Sequence, residues 1–159
     1  MAFHQPTKTN TVTCKYHTKG SHWQAGYHTG TDYAGKAGDP IYAVAGGRVI
    51  HANRMGGWGL GYGIHVIIET EGITEGKVQT AYCHMSYVNL DVIAKGVVKS
   101  GDIIGYVGAT GNTTGPHLHL EMRVAPFLYD NKTLDPESVI KLSAPVKKAP
   151  PAKKPVKKP

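Results

Sequence analysis

Only two phenylalanines and two cysteines occur among the 159 residues of this chain. Cys14 and Cys83 cannot build a disulfide framework, and two unpaired thiols are the expected state. No apolar run approaches the roughly 18 residues that a membrane-spanning helix requires. The start, MAFHQPTKTNTVTC, lacks the basic cluster and apolar stretch of a secretory leader, so export by that route is not expected. Several chemical motifs are missing as well. There is no His-Glu-x-x-His and no Gly-x-Ser-x-Gly, and GGWGLGYG (56–63) fits neither dinucleotide nor P-loop spacing. That stretch reads as a turn or a cleft wall. What the chain has in quantity is glycine, twenty residues, and histidine, nine. Many glycines and few phenylalanines suggest short strands joined by turns.

The net charge of +7 suggests a polyanion binder until it is located. Six lysines (147, 148, 153, 154, 157 and 158) and no acid lie in the tail SAPVKKAPPAKKPVKKP. Removing these six from eighteen basic residues leaves twelve against eleven acids in residues 1–142, a net of +1. The body is nearly neutral, which argues against specific nucleic-acid binding. The tail also holds five of the ten prolines, so it is expected to be extended and solvated. It reads either as a linker remnant or as an electrostatic tether to acidic wall polymers or an anionic membrane surface. Three parts follow: an N-terminal arm (1–22), a body (23–142) and a disordered Lys/Pro tail (143–159).

The body reads as β throughout. Strands are expected over 43–52, over 61–70 with Ile64, Val66 and Ile68 on one face, and over 77–88. Residues 95–111 suggest a hairpin from Val97-Val98 to Ile103–Val107, turning at Ser-Gly-Asp. HLHLEMRV closes the series. Only DPESVIKL (135–142) carries a helix-start signal, with Asp135 as cap and Pro136 in the first turn. Strand following strand predicts an all-β fold of antiparallel sheets.

Among the histidines, His4 and His17 fall in the arm and are expected to be solvated, and His51 and His65 to be structural or superficial. Four remain. His117 and His119 alternate with Leu118 and Leu120, so both rings and Glu121 point to one side of a strand. His84 follows Cys83, and alternation would turn the two residues to opposite faces. His28 belongs to YHTGTDYAG, a His-x-Gly-x-Asp pattern. Extended, His28 and Asp32 would have Cα atoms about 13 Å apart, so the chain must bend near Gly30 for both to meet one ion. Two histidines and a carboxylate with a fourth position open form the ligand set of a catalytic zinc. Spacing supplies the pool of four histidines and Asp32 without choosing among them.

Taken in order from His28 to Leu142, these blocks resemble the lysostaphin-type zinc endopeptidases, which cut peptidoglycan cross-links. HTGTDYAG resembles that family's first ligand motif, GDPIYAVAGGRVI and GYGIHVIIE its core strands. AYCHMSYV resembles the Tyr-x-His-Leu-Ser segment, and VGATGNTTGPHLHLEM the Gly-Pro-His-Leu-His signature. The resemblance implies one Zn2+ held by His28, Asp32 and His119, with His117 as general base and His84 as transition-state stabiliser. It implies an antiparallel β architecture, the duplicated hybrid motif, with a groove over the metal. Glu121 would be either a partner to a ligand or an ordinary strand ion pair. Upstream of His28 the family's Gly-x-Arg turn is replaced by KGSHWQAGY, so His22, Trp23 and Tyr27 are expected to rebuild the groove wall. The implied function is lysis of peptidoglycan by a monomer. A compact lytic enzyme without a leader looks like a phage endolysin, held in the host cytoplasm until release, with a virion-borne lysin or a bacterial enzyme as variants. The rival is an inactive member of the fold that binds wall or activates another hydrolase; against it, all five matching positions are kept.

Overall fold

The computed structural model describes residues 1–57, 61–127 and 132–142. The basic tail and part of the GGWGLGYG stretch lie outside them. Ten strands occur among the described residues: β1 (Val12–Cys14), β2 (Thr31–Ala34), β3 (Pro40–Tyr42), β4 (Gly47–Asn53), β5 (Ile64–Thr70), β6 (Val78–Val88), β7 (Val97–Val98), β8 (Ile103–Val107), β9 (His117–Val124) and β10 (Thr133–Leu134). Two short helices join them, α1 (Leu90–Lys95) and α2 (Pro136–Lys141). The main sheet runs β1-β2-β9-β6-β5-β4-β7, with β10 on β9, and β8 bridging β3 to β6. Each described pairing is antiparallel, as the run of strand signals predicts.

Alternation decides what each face buries. Leu118, Leu120 and Met122 of β9, Tyr82 of β6 and Val66 and Ile68 of β5 join Ile41, Ile104 and Val107 in the main core. Each such side chain stabilises the fold by about 1.5–3 kcal/mol when fully buried. The opposite face of the same strands is also covered. There Ile67, Ala81 and Cys83 form a smaller cluster with Tyr62 and Phe127. The thiols are both free, Cys83 buried and Cys14 half-buried.

Three features depart from the sequence reading. The first 22 residues pack onto the same body: Phe3 enters the main core and β1 pairs with β2. His4 is half-buried with its N–H on the Val44 carbonyl, while His17, exposed, stacks on Tyr16 at 4.2 Å. The expected hairpin of β7 and β8 does not pair with itself. Its turn docks instead on residues 43 and 44, where Gly101 N–H donates to the Ala43 carbonyl and Ser100 Oγ to that of Val44. From there β7 leaves along β4 and β8 along β3 and β6. Helix α1 was not anticipated, although its signals are local. Asn89 Oδ1 accepts the Asp91 N–H at 3.1 Å, and Gly96 ends the helix in the left-handed region. The predicted helix forms as α2, capped by Asp135.

Candidate metal centre and groove

The site is assembled on the covered face of β9. In the ladder Asp32 of β2 stands opposite His119, and His119 stands opposite Cys83 of β6. Cross-strand neighbours lie about 4.5–5.5 Å apart, so Asp32 and His119 meet without any distortion. His28 arrives from the segment before β2, with its N–H on the Thr18 carbonyl and its own carbonyl accepting from His17. The bend at Gly30 brings it over the strand, and glycine is required there for space. A Cβ would sit 2.3 Å from the Leu120 carbonyl oxygen and 2.9 Å from His119.

Three donor atoms then converge. His28 Nε2 lies 3.1 Å from His119 Nδ1 and 3.1 Å from Asp32 Oδ1, and His119 Nδ1 lies 2.8 Å from Asp32 Oδ1. Ligands around a tetrahedral zinc, with bonds near 2.0–2.2 Å, are separated by about 3.3–3.6 Å. The triangle is therefore slightly tighter than one face of a zinc tetrahedron, and it opens toward a groove. Cys14 Sγ also comes within 4.8 Å of ligand atoms of His28 and Asp32. His119 makes the tighter set, and burial keeps the thiol of Cys14 protonated by raising its pKa.

Each imidazole is held by its second nitrogen, the usual means of fixing a ligand's tautomer. His28 Nδ1–H donates to the Lys15 carbonyl at 3.1 Å, His84 Nδ1–H to that of Thr110 at 2.7 Å, and His117 Nδ1–H to that of Gly115 at 2.9 Å. A carbonyl only accepts, so Nε2 of His84 and of His117 carries the lone pair. Nε2 of His28 instead donates to Asp32 Oδ1 in the metal-free protein and is the atom left to bind a metal once that proton is lost. His119 is anchored differently, its Nε2–H donating to Glu121 Oε2 at 3.1 Å. Glu121 is fully buried and also accepts from Thr29 Oγ1 at 2.7 Å, Tyr62 OH at 3.0 Å and Arg123 Nε. That is a buried hub beneath the ligand, not an ordinary strand ion pair.

The electrostatics follow from these contacts. Burial works to raise the Asp32 pKa, but hydrogen bonds from His119 and His28 outweigh it and keep the group far below the carboxylate range. Burial disfavours charge on His119, yet its bonds to Asp32 and Glu121 push it up to about 9 in the metal-free protein. For His84, burial and the neighbouring His119 charge lower the pKa to about 4.

His84 reaches the groove by a route that alternation does not predict. Its φ is +60°, and the β6 register slips on both sides of it against β5 and β8. The bulge turns His84 onto the face already occupied by Cys83, contrary to the alternation expected for neighbours. Its ring lies 4.9 Å from His117 and 5.9 Å from His119. The loop that receives it comes close through Gly63, at φ +64°, where a Cβ would fall 2.4 Å from the Thr110 backbone.

The groove itself has a volume of about 870 Å³. His22 and Trp23 line it, as do all five residues expected at the metal. Tyr27 does not. A tight turn pairs it with Lys19 and sets its ring 4.3 Å from His17, outside the groove. His51 and His65, expected to be structural or superficial, line the opposite end together with Tyr62, Ile67 and Phe127. Among the described lining residues there is no lysine or arginine.

Fold and site together define an antiparallel β protein in which a cluster of His28, Asp32 and His119 opens into a groove of about 870 Å³. The chain belongs to peptidase family M23, which residues 26–136 match. It is 42% identical over 97 residues to the DD-carboxypeptidase/endopeptidase Mpg of Neisseria meningitidis serogroup B, covering 61% of this chain and 20% of that protein. It is 35% identical over 105 residues to lysostaphin of Staphylococcus simulans, covering 64% and 19%. The chain thus spans about a fifth of the length of these curated relatives. The crystallised catalytic domain of lysostaphin superposes with a TM-score of 0.69 at 30% identity, over 82% of this chain and 92% of that one. A zinc-containing peptidase from Vibrio cholerae gives 0.66 at 30% identity, over 91% and 41%.

Proposed function

We propose that the protein is a zinc-dependent endopeptidase that hydrolyses amide bonds in peptidoglycan stem peptides or cross-bridges. The observation that carries this reading is the triangle of His28 Nε2, Asp32 Oδ1 and His119 Nδ1, with edges of 2.8–3.1 Å, at the floor of an open groove. Those three atoms would hold the metal. When bound, zinc supplies a Lewis acid that acidifies water and polarises an amide carbonyl. His117 Nε2, 3.5 Å from Asp32 Oδ1, stands nearest the triad and takes the proton of the attacking water. His84, neutral and anchored to Thr110, presents Nε2 from the other side. A proton drawn from solvent through the open groove onto Nε2 lets His84 donate to the amide oxygen as charge develops there. His117 passes the proton it took from water to the leaving amine nitrogen. The name of one relative, the peptidoglycan DD-endopeptidase ShyB of Vibrio cholerae, 36% identical over 99 residues, supports peptidoglycan as substrate.

Lysis of purified cell walls, with mass analysis of the products, tests this for wild type, His119→Ala and the chelated protein. Turbidity should fall only with the zinc-loaded wild type, and the new amino termini name the bond. Equal lysis by all three refutes a metallopeptidase.

The proposal extends to an endolysin of phage origin, acting as a monomer from the host cytoplasm, with the basic 143–159 tail as a tether for the 23–142 catalytic body. The sequence reading alone supports this part. Cytoplasmic expression with and without a pore-forming partner tests it, and lysis without the pore contradicts it.

A further inference from the structure

Two histidines without a role in the proposed reaction lie at the far end of the groove. His65 on β5 is 5% exposed, and its Nδ1–H donates to the Gly63 carbonyl at 2.8 Å. That bond leaves the lone pair on Nε2, which has no protein partner and faces the groove that His65 lines. That nitrogen is open to the groove, where a substrate donor can take the place of water. His51 on β4 is exposed, its ring 5.2 Å from that of His65. Burial and the adjacent His51 lower the pKa of His65, against the opposing pull of its Gly63 bond, so it stays neutral and accepts.

The end is also placed to meet a substrate bound at the metal. Tyr62 lies between the two, 6.2 Å from His119 and 5.6 Å from His65 by ring centroids. Two such steps are the reach of roughly three residues of extended peptide. A donor-bearing group arriving there meets an acceptor nitrogen and the Tyr62 ring, with no lysine or arginine among the described lining residues to repel it. Carboxylates, in contrast, find no N–H to receive them on His65.

Resting on the endopeptidase reading, we propose that His51 and His65 form a subsite for a primary ammonium group carried by the substrate about three residues from the scissile amide. Nε2 of His65 accepts one ammonium N–H, His51 packs beside it, and the Tyr62 ring, 5.6 Å from His65, offers a cation–π face.

Three synthetic peptides containing the bond found in the wall digest test it, differing only at that residue: a free amine, its acetylated form and a carboxylate. With wild type, kcat/KM should favour the amine over the acetylated peptide by roughly tenfold or more, the scale of a hydrogen bond to a charged group. His65→Phe should bring the ratio close to one and leave the acetylated peptide within about twofold of wild type, whereas His65→Gln, which keeps an acceptor, should retain part of the preference. Wild type that does not discriminate, or that prefers the carboxylate, overturns the subsite. So does equal loss on all three peptides in His65→Phe with an unchanged melting curve. Should no peptide be cut, the endopeptidase reading fails separately. Calorimetric binding of the same peptides to zinc-loaded protein then decides the subsite, which equal affinities in wild type would reject.

Discussion

Replacing Glu121 by glutamine changes one atom in a fully buried group and should disturb both stability and metal binding. Glu121 accepts from His119 Nε2 and Thr29 Oγ1 on one oxygen, and from Tyr62 OH and Arg123 Nε on the other. A glutamine keeps only one accepting oxygen. The threonine and tyrosine hydroxyls can rotate to accept from the new amide, but the N–H groups of His119 and Arg123 cannot. Whichever way the amide is turned, a donor faces a donor. The change also removes the carboxylate that neutralises Arg123, itself 1% exposed. Breaking a buried pair in this way costs about 3–5 kcal/mol. Disturbing the partner of a ligating histidine weakens metal affinity by about 10–100-fold. Denaturant unfolding of the metal-free protein measures the first effect, and competition with a chelator the second. Thr29→Val, which removes one neutral hydrogen bond, should cost only about 1 kcal/mol. If Glu121→Gln holds zinc within about twofold of wild type and unfolds at the wild-type denaturant midpoint, the hub has no function in the site.

The metal-free protein should lose stability in alkali, because His119 is raised from 6.5 to about 9. Its contribution is complete below pH 6.5 and disappears as pH rises through about 9, so the melting temperature of chelated protein should fall over that window; a flat profile contradicts the His119–carboxylate contacts. Zinc loading removes the proton from Nδ1 and should abolish this dependence. On the acid side Glu121, lowered from 4.5 to about 2 by His119 and Arg123 against its burial, contributes stability above 4.5 that is lost as pH falls toward 2. Gly30→Ala forces a Cβ against the Leu120 carbonyl at 2.3 Å and should separate β2 from β9, with loss of zinc affinity on calorimetry; wild-type affinity would show that the close approach is dispensable. Deleting 143–159 should weaken sedimentation with cell walls at low salt and leave it unchanged at high salt, where lysine charges are screened; equal binding at low salt makes the tail a linker only.

Much of the site was readable before any coordinates. His117, His119 and Glu121 share a face because strand geometry has period two, a property of neighbouring residues alone. The Asp135 cap and the bend required at Gly30 are local in the same sense. The signals of helix α1 are equally local, with Asn89 and Gly96 marking its ends, but six residues are too few for a helical period to show in the sequence.

Other features had no local signal. Alternation placed His84 away from Cys83, and only a bulge at φ +60°, held by Tyr62 and Thr110 from distant segments, brings it beside His117. The β7 and β8 strands look like a hairpin, but their turn is taken up by Ala43 and Val44. His51 and His65 look superficial on their own strands and become a groove wall when β4 and β5 pair beyond Tyr62. By itself the sequence determined which residues could bind a metal and which side of their own strands they occupy, since backbone periodicity and turn chemistry act over a few residues. Register between strands, the bulge and the groove depend on contacts dozens of residues apart, and those were decided only when the sheet closed its two faces.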